Sequence, residues 1–193
     1  MRPPVLQIII GSTRPGRVGP AIAAWFAGRA KAHGGFEVEL IDIADFGLPL
    51  LDEPNHPMAR KYTKDHTMRW SATISNGDAF AFVVPEYNHS FNAATKNAID
   101  FLYHEWRFKP AGILSYGGAA MGTRSAQALK PVFAALKLLH AGDVSVPLVN
   151  NPVKDGVFHP NEILASAADA LLDEIAMSVP ALIERRSRAK TTA

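Results

Sequence analysis

The 193-residue sequence contains no cysteine. Disulfide bonds, thiolate zinc sites, iron–sulfur clusters and thiol nucleophiles are therefore all excluded. It also lacks an apolar run of the ~20 residues that span a bilayer. The amino-terminal stretch MRPPVLQIIIG has one basic residue and a short apolar run, unlike a secretory signal peptide. We therefore expect a single cytoplasmic domain over residues 1–193, with no membrane partner and no metal.

Charge is scarce and nearly balanced. Lysine and arginine total 20 and aspartate and glutamate total 18, which gives a net charge of +2. Four cations lie in an acid-free stretch, residues 185–193, that we expect to fray: Arg185, Arg186, Arg188 and Lys190. Without these four the charge is 16 − 18 = −2. A nucleic-acid-binding domain carries its basic stripe on a folded face, so we expect no nucleic-acid partner.

Short apolar runs alternate with helical patterns, in a chain that is 48% hydrophobic. Strands are predicted over residues 5–10, 36–43, 79–84, 111–116 and 142–149. The first, third and fourth are nearly continuously apolar, which is typical of central strands in a parallel sheet. The second alternates and is predicted to lie nearer an edge. Together with five helices, these strands predict a three-layer α/β sandwich with right-handed crossovers.

Apolar residues at helical spacing mark the five helices. Four aromatic residues on them are predicted to lie in the core: Trp25, Phe26, Phe101 and Phe133. The second helix is predicted to include Tyr62, and the fourth to reach Leu139. Pro131 and Pro180 are expected to kink or interrupt the last two helices.

The loop after the first strand, GSTRPGRVGP, has the chemistry of an anion site. It offers three glycines, two hydroxyls, two guanidiniums and the free amides of a helix amino terminus. The nucleotide-binding P-loop pattern fails because Arg17 and Val18 replace its lysine and hydroxyl residue, and a dinucleotide fingerprint fails at Thr13. We predict a metal-free site for a terminal phosphate; a glycine–proline turn with solvated arginines is the alternative.

Two further loops follow the third and fourth predicted strands. In a parallel sheet, ligands bind at the carboxyl ends of the strands, where these loops and the first one meet. Tyr87 supplies a flat face and Asn88 neutral donors and acceptors, while Gly117 and Gly118 let backbone approach a ligand closely. We predict a flat aromatic ligand between these loops, with its phosphate in the first. A hydrolytic triad using Ser90 or Ser115 stays open, although no spacing supports it.

Three stretches, GSTRPGRVG, PEYNHSFNAATKNAIDFL and SYGGAAMGTRSAQALKPV, resemble the signature stretches of the NADPH-dependent FMN reductase family. The resemblance covers roughly residues 3–180. It implies a flavodoxin-like five-stranded parallel sheet in the order 2-1-3-4-5, non-covalent FMN and NAD(P)H as co-substrate. The FMN-binding residues that it implies are Ser12, Thr13, Arg14, Arg17, Val18, Gly19, Pro85, Glu86, Tyr87, Asn88, Ser115, Tyr116, Gly117 and Gly118. In this assignment the first loop holds the phosphate, the second borders the ring and the third meets its pyrimidine edge.

The chain departs from the family pattern at two places. His89 stands where many members carry a smaller residue. The glycine-rich run before Arg124 is loosened to GGAAMGTR, which leaves the placing of that arginine open. Pairing of Glu86 with Arg124, within or between subunits, is expected to fix the two loops.

The resemblance implies an oxidoreductase of the FMN or quinone reductase type, in which the flavin rather than a side chain carries the chemistry. The acceptor is expected to be a flavin, a quinone or a similar small molecule. A non-catalytic flavodoxin-like carrier is the main alternative. Family members are commonly dimers or tetramers, and we expect a homodimer or homotetramer here. An aromatic stretch is expected to be too apolar for an exposed monomer surface: Phe101, Leu102, Tyr103, Trp106 and Phe108.

Overall fold

The computed structural model describes residues 2–149 and 152–191, with side chains as far as residue 188. The helices and strands are β1 (Val5–Ile10), α1 (Gly19–His33), β2 (Glu37–Asp42), α2 (Asp65–Asn76), β3 (Ala79–Pro85), α3 (Ala93–Asp100), β4 (Pro110–Gly117), α4 (Thr123–Leu136), β5 (Leu139–Pro147), β6 (Val153–Lys154), β7 (Val157–Phe158) and α5 (Glu162–Thr191). Two short 3-10 helices, Ile43–Phe46 and Pro57–Ala59, interrupt the long connection from β2 to α2.

Five strands form one parallel sheet in the order β2-β1-β3-β4-β5. This confirms the predicted order and the edge position of the second strand. β1 and β3 are buried along their whole length, which explains why their sequences are apolar except for Gln7. β6 and β7 form a small antiparallel pair that the sequence analysis did not predict.

Helices cover both faces of the sheet. α1 and α5 pack on one face around Phe26 and Leu172. α2, α3 and α4 cover the other face, where Trp70, Phe101 and Phe133 are fully buried. Trp25 is only half-buried and meets the Phe158 ring edge-on, with 5.1 Å between the centroids. The predicted core is thus confirmed for the three phenylalanines and in part for Trp25.

Two predicted element boundaries were wrong. Leu139 is the first residue of β5 rather than the last apolar position of the fourth helix. Lys137 takes a left-handed conformation, φ 57°, and this ends α4 although the sequence has no glycine there. Tyr62 lies before α2, and its hydroxyl donates to the buried carboxylate of Glu105 at 3.1 Å.

Of the predicted kink or interruption at the two prolines, interruption was wrong. α4 continues through Pro131 and α5 through Pro180. A proline removes only one backbone donor from a helix, and both helices have a long apolar face that packs on the sheet.

The aromatic stretch expected on the surface lies largely inside the molecule. Phe101, Leu102 and Trp106 are buried, and the Trp106 ring lies 5.1 Å from that of Phe80. Its indole nitrogen donates to the Ile99 carbonyl at 3.1 Å. The apolar argument for an oligomer was therefore wrong, because the chain covers these side chains itself.

The carboxy-terminal stretch continues α5 as far as Thr191 rather than fraying from residue 185. Arg186 donates to the Phe108 carbonyl at 2.8 Å and to the Asp78 carboxylate at 2.9 Å. The guanidinium of Arg185 lies 4.2 Å from the centre of the Phe108 ring. These contacts hold the end of α5 in place, although the basic composition of residues 185–193 predicted an unattached end. Residues 192 and 193 lie outside the described residues.

Within the described residues, no helix combines the length and the apolar character needed to cross a membrane.

Candidate functional site

A cleft of about 180 Å³ opens at the carboxyl ends of the central strands. It is lined by Arg14, Arg17, Val18, Pro85, Glu86, Tyr87, Tyr116, Gly117, Gly118 and Leu148. All except Leu148 were predicted from the sequence. Leu148 follows β5 and donates its backbone N–H to the Gly117 carbonyl at 2.8 Å. The structure therefore brings the three predicted loops together in one place.

Larger cavities lie elsewhere. One of about 750 Å³ opens at the amino end of the sheet beside Asp78 and Ile183. Another of about 600 Å³ lies between α3 and α4 beside Tyr103 and Val132. Neither contains a predicted site residue or a glycine-rich loop at a strand end, so the smaller cleft is the candidate site.

The first loop leaves β1 at Gly11, whose N–H donates to the Val83 carbonyl at 2.9 Å. A side chain at Gly11 could not fit, because its Cβ would lie 2.2 Å from the Thr95 hydroxyl oxygen. Among the described residues, the backbone amides of Thr13, Val18 and Gly19 have no acceptor. The amides of Val18 and Gly19 lie at the positive end of α1, which is the arrangement that binds anions.

Arg17 is the most constrained side chain of this loop. Its two terminal nitrogens donate to the two carboxylate oxygens of Asp42 at 2.7 and 2.5 Å, and one of them also donates to the Ser12 carbonyl. The hydrogen bond to Asp42 is the main reason that the pKa of Arg17 is raised. The sequence analysis predicted Arg17 but missed Asp42. The available signal was that Asp42 ends β2, beside the end of β1.

The second loop turns sharply after β3. Tyr87 and Ser90 exchange backbone hydrogen bonds of 2.9 and 3.1 Å. Between them Asn88 and His89 have φ of 50° and 69°, the left-handed values that a type I′ turn requires. Both side chains are exposed, and neither lines the cleft. The turn instead presents Tyr87, whose hydroxyl lies 3.3 Å from that of Ser12.

Glu86 joins the second loop to the third. One of its oxygens accepts from the Arg124 backbone N–H at 3.1 Å, and the other from the Arg124 guanidinium at 3.0 Å. The Glu86 backbone N–H also donates to the Tyr116 carbonyl at 2.8 Å. The predicted pairing of Glu86 with Arg124 is confirmed, and it lies within one chain.

The glycines of the third loop differ in what surrounds them. A Cβ at Gly118 would meet no atom within 4 Å, so this position faces open space. At Gly122 φ is +81°, and a Cβ would lie 2.4 Å from the Tyr116 nitrogen. Gly122 therefore fixes the path of the loop, while Gly118 leaves room beside it.

Tyr116 lines the cleft, and its hydroxyl is buried without a hydrogen-bond partner among the described residues. Burial raises its pKa well above the ordinary value, and the nearby Ser12 opposes that shift only in part. The hydroxyl is therefore protonated at neutral pH, and it lies buried beneath the cleft rather than open to it.

Five predicted residues do not line the cleft: Ser12, Thr13, Gly19, Asn88 and Ser115. Ser12 and Gly19 are buried beneath it, while Thr13 and Asn88 lie outside. Ser115 is fully buried, and its hydroxyl has no partner among the described residues. Such a side chain is inaccessible as a nucleophile, so the alternative of a triad using Ser115 has no support.

The sequence and fold resemble those of known flavin enzymes. The model of the NADPH-dependent FMN reductase family matches residues 5–151. An NAD(P)H-dependent FMN reductase of Schizosaccharomyces pombe is 39% identical over 160 residues, covering 81% of this chain and 80% of that protein. A probable NADPH:quinone oxidoreductase of Oryza sativa subsp. japonica is 30% identical over 165 residues, covering 78% and 79%.

Among solved structures, the NAD(P)H:acceptor oxidoreductase FerB from Paracoccus denitrificans superimposes with a TM-score of 0.68. The match covers 91% of this chain and 98% of FerB at 21% sequence identity. This likeness shows a shared fold.

Proposed function

The chain belongs to the NADPH-dependent FMN reductase family. From that premise we propose how its cleft binds FMN and which second substrate the enzyme reduces. It is an NAD(P)H-dependent flavin oxidoreductase, as predicted from the sequence, with FMN as cofactor. A non-catalytic carrier and a hydrolase are both less consistent with this membership. The cleft residues then receive the following roles.

One observation carries the proposal: three loops that are distant in sequence enclose one cleft with an anion-binding end and an open glycine floor. The anion end consists of unpaired amides at the start of α1 together with Arg14. The floor is the backbone at Gly118, beside which 4 Å of space is free. A flat ring with a phosphate tail requires both features, so the residues present fit FMN.

At the phosphate end, the amides of Val18 and Gly19, at the start of α1, donate to the phosphate oxygens. Arg14 is exposed and adds a charge-assisted hydrogen bond. These donors are fixed before the ligand arrives, because Gly11 and the first turn of α1 set their positions.

At the ring end, Tyr87 and Gly118 border the flat face and the ring of Tyr116 lines the cleft. The chemistry that FMN would supply when bound is acceptance of a hydride from NAD(P)H and its delivery to a second substrate. The amides around Gly117 and Gly118, close to the start of α4, would stabilise negative charge on a ring held there.

No side chain is assigned as a proton donor or acceptor to substrate. Glu86 is the carboxylate of the cleft lining, and Arg124 occupies both of its oxygens. Its role is to hold the second and third loops together.

We propose that the second substrate is a small flat molecule, a flavin or a quinone. Relatives named as an FMN reductase and as a probable quinone oxidoreductase match 81% and 78% of this chain. Tyr87, with 39% of its surface exposed, offers a face on which such a molecule can stack.

Turnover with NADPH tests the function. The purified protein should show flavin absorbance, and it should oxidise many equivalents of NADPH when FMN or a quinone is supplied in excess. A carrier would stop after one equivalent per site, and a hydrolase would not consume NADPH. Either result would contradict the proposal.

A homodimer or homotetramer and a cytoplasmic location stay predictions of the sequence. Sedimentation of the flavin-bound protein at micromolar concentration tests the first, and a monomer would contradict it. Cell fractionation tests the second.

A further inference from the structure

A carboxylate holds Arg17, one of the residues that line the phosphate end of the cleft. Asp42 lies at the end of β2, and both of its oxygens accept hydrogen bonds from Arg17. We propose that Asp42 is a positioning residue for FMN: it fixes Arg17, and through Arg17 the first loop, in the form that receives the phosphate. The inference rests on the proposed function.

The pair is held from two sides. One terminal nitrogen of Arg17 also donates to the Ser12 carbonyl, which ties the guanidinium to its own loop. Asp42 Oδ1 also accepts from the Ala44 backbone N–H at 3.0 Å, which ties the carboxylate to the 3-10 helix after β2. Side-chain exposure is only 20% for Arg17 and 17% for Asp42. The first loop is thus anchored to a fixed point on the neighbouring strand.

The hydrogen bonds leave Arg17 with a limited capacity for the phosphate. A guanidinium has five N–H donors, and contacts to Asp42 and Ser12 use three of them. The positive charge of Arg17 and the negative charge of Asp42 also cancel, so the pair offers the phosphate no net charge. Arg17 therefore contributes chiefly by placing the loop amides, with its remaining N–H groups added to theirs.

Removing the charge of Asp42 has two opposite expected effects on FMN affinity, and this makes the positioning role testable. By charge alone, removing Asp42 should strengthen the binding of a phosphate, since a nearby negative charge disappears. By positioning, the same change should weaken binding, because Arg17 loses its fixed partner. The direction of the change in FMN affinity separates the two effects.

Asp42→Asn is the variant of choice. Its amide oxygen can still accept from Ala44, but the two-oxygen acceptor for Arg17 is lost. Apo-protein is titrated with FMN and with riboflavin, which has the same ring without the phosphate, and flavin fluorescence is followed. We expect FMN affinity to fall about 10-fold and riboflavin affinity to stay within about 2-fold.

Asp45→Asn is the matched control. Asp45 is exposed and acts on Arg17 only through its charge, with no hydrogen bond between them. The variant makes the same change in net charge but leaves the contact between Arg17 and Asp42 intact. Its FMN affinity should equal or slightly exceed that of the wild type.

A third variant tests whether Asp42 acts through Arg17. Arg17→Ala combined with Asp42→Asn should bind FMN no more weakly than Arg17→Ala alone. Losses that add fully in the double variant would overturn the proposal.

Three further results would each overturn the positioning role or the function on which it rests. Tighter FMN binding by Asp42→Asn would show that the carboxylate acts only by its charge. An equal loss for FMN and riboflavin would show general loop damage. Each would overturn the positioning role while leaving the proposed function in place. A wild type that binds no FMN would instead overturn the proposed function itself, and the inference with it.

Discussion

The two ends of the parallel sheet use their polar groups in opposite ways. At the amino end, Arg186 is bonded to the Phe108 carbonyl and to Asp78, and Asp78 also accepts from the Val5 N–H at 3.2 Å. At the carboxyl end, the Tyr116 hydroxyl and several loop amides have no partner among the described residues. Gln7 Oε1, near the amino end, is also buried without a partner among the described residues. The unpaired amides of the first loop, rather than buried side-chain atoms, therefore distinguish the ligand end.

Cavity size alone would have indicated the wrong end. The cavity at the amino end, about 750 Å³, is four times the size of the cleft at about 180 Å³. Its charged groups Arg2 and Asp78 already lie 3.5 Å apart. A ligand there would compete with contacts that the chain makes by itself, whereas a ligand in the cleft would complete missing ones.

The largest effect is expected from Gly118→Val at the carboxyl end. The new side chain fills the space assigned to the flavin ring, so FMN affinity should fall about 100-fold or more. The free energy of unfolding should change by less than about 0.5 kcal/mol, because the side chain meets no protein atom. Titration with FMN and urea unfolding measure the two quantities.

Gly122→Ala is the contrasting variant of the same loop. Its positive φ and the predicted clash with Tyr116 should lower the free energy of unfolding by about 2 kcal/mol.

Wild-type FMN affinity in Gly118→Val would show that the third loop lies outside the site.

Arg17→Ala should lower FMN affinity about 10- to 150-fold, because the first loop loses its anchor to Asp42 together with a charged donor. Riboflavin should bind the variant and the wild type almost equally. Arg14→Ala should have a milder effect, about 3- to 10-fold, because that side chain is exposed. Arg17→Lys keeps the charge but loses the paired geometry, and it should resemble Arg17→Ala. Equal losses for both flavins would contradict the phosphate assignment.

Arg186→Ala tests the amino end. Removal of two hydrogen bonds around a half-buried guanidinium should cost about 2 kcal/mol of stability and lower Tm by roughly 4–8 °C. FMN affinity should not change. Arg188→Ala is the control, since its side chain is 79% exposed and pairs with Glu184 within one helix; its Tm should stay close to that of the wild type. A loss of FMN affinity in Arg186→Ala would show that the two ends are coupled.

Tyr116→Phe should give the smallest overall effect. The hydroxyl is buried beneath the cleft, so FMN affinity should stay close to that of the wild type. In urea unfolding, the apo-protein should be as stable as the wild type or slightly more stable, because a buried hydroxyl without a partner among the described residues is removed. A clear loss of FMN affinity on titration would show that the hydroxyl reaches the ligand.

The central strands and the three loops could be predicted because their signals are local. β1 and β3 are nearly continuous apolar runs, and the loop after each has a composition typical of a ligand site. The start of β5 could not be predicted in the same way. Leu139 continues the helical spacing of α4, and only the left-handed conformation of Lys137 separates them.

Contacts between distant segments were the other limit. Asp42 lies 25 positions from Arg17, and no spacing rule connects them. Likewise, Trp106 and Phe101 became buried because α2 and β3 cover them. Composition alone assigned that stretch to a surface. For the same reason, the basic composition of residues 185–193 did not predict the contact of Arg186 with Asp78, which lies 108 positions earlier.

The tight turn at Tyr87–Ser90 has a consequence for protein engineering. Asn88 and His89 both hold left-handed backbone angles, which β-branched residues adopt only at a cost. Asparagine and glycine tolerate such angles well, so a library that varies substrate access should draw on them at these two positions and leave valine, isoleucine and threonine out. The chemistry of these two exposed side chains can therefore be varied, whereas β-branched side chains are disfavoured at both positions.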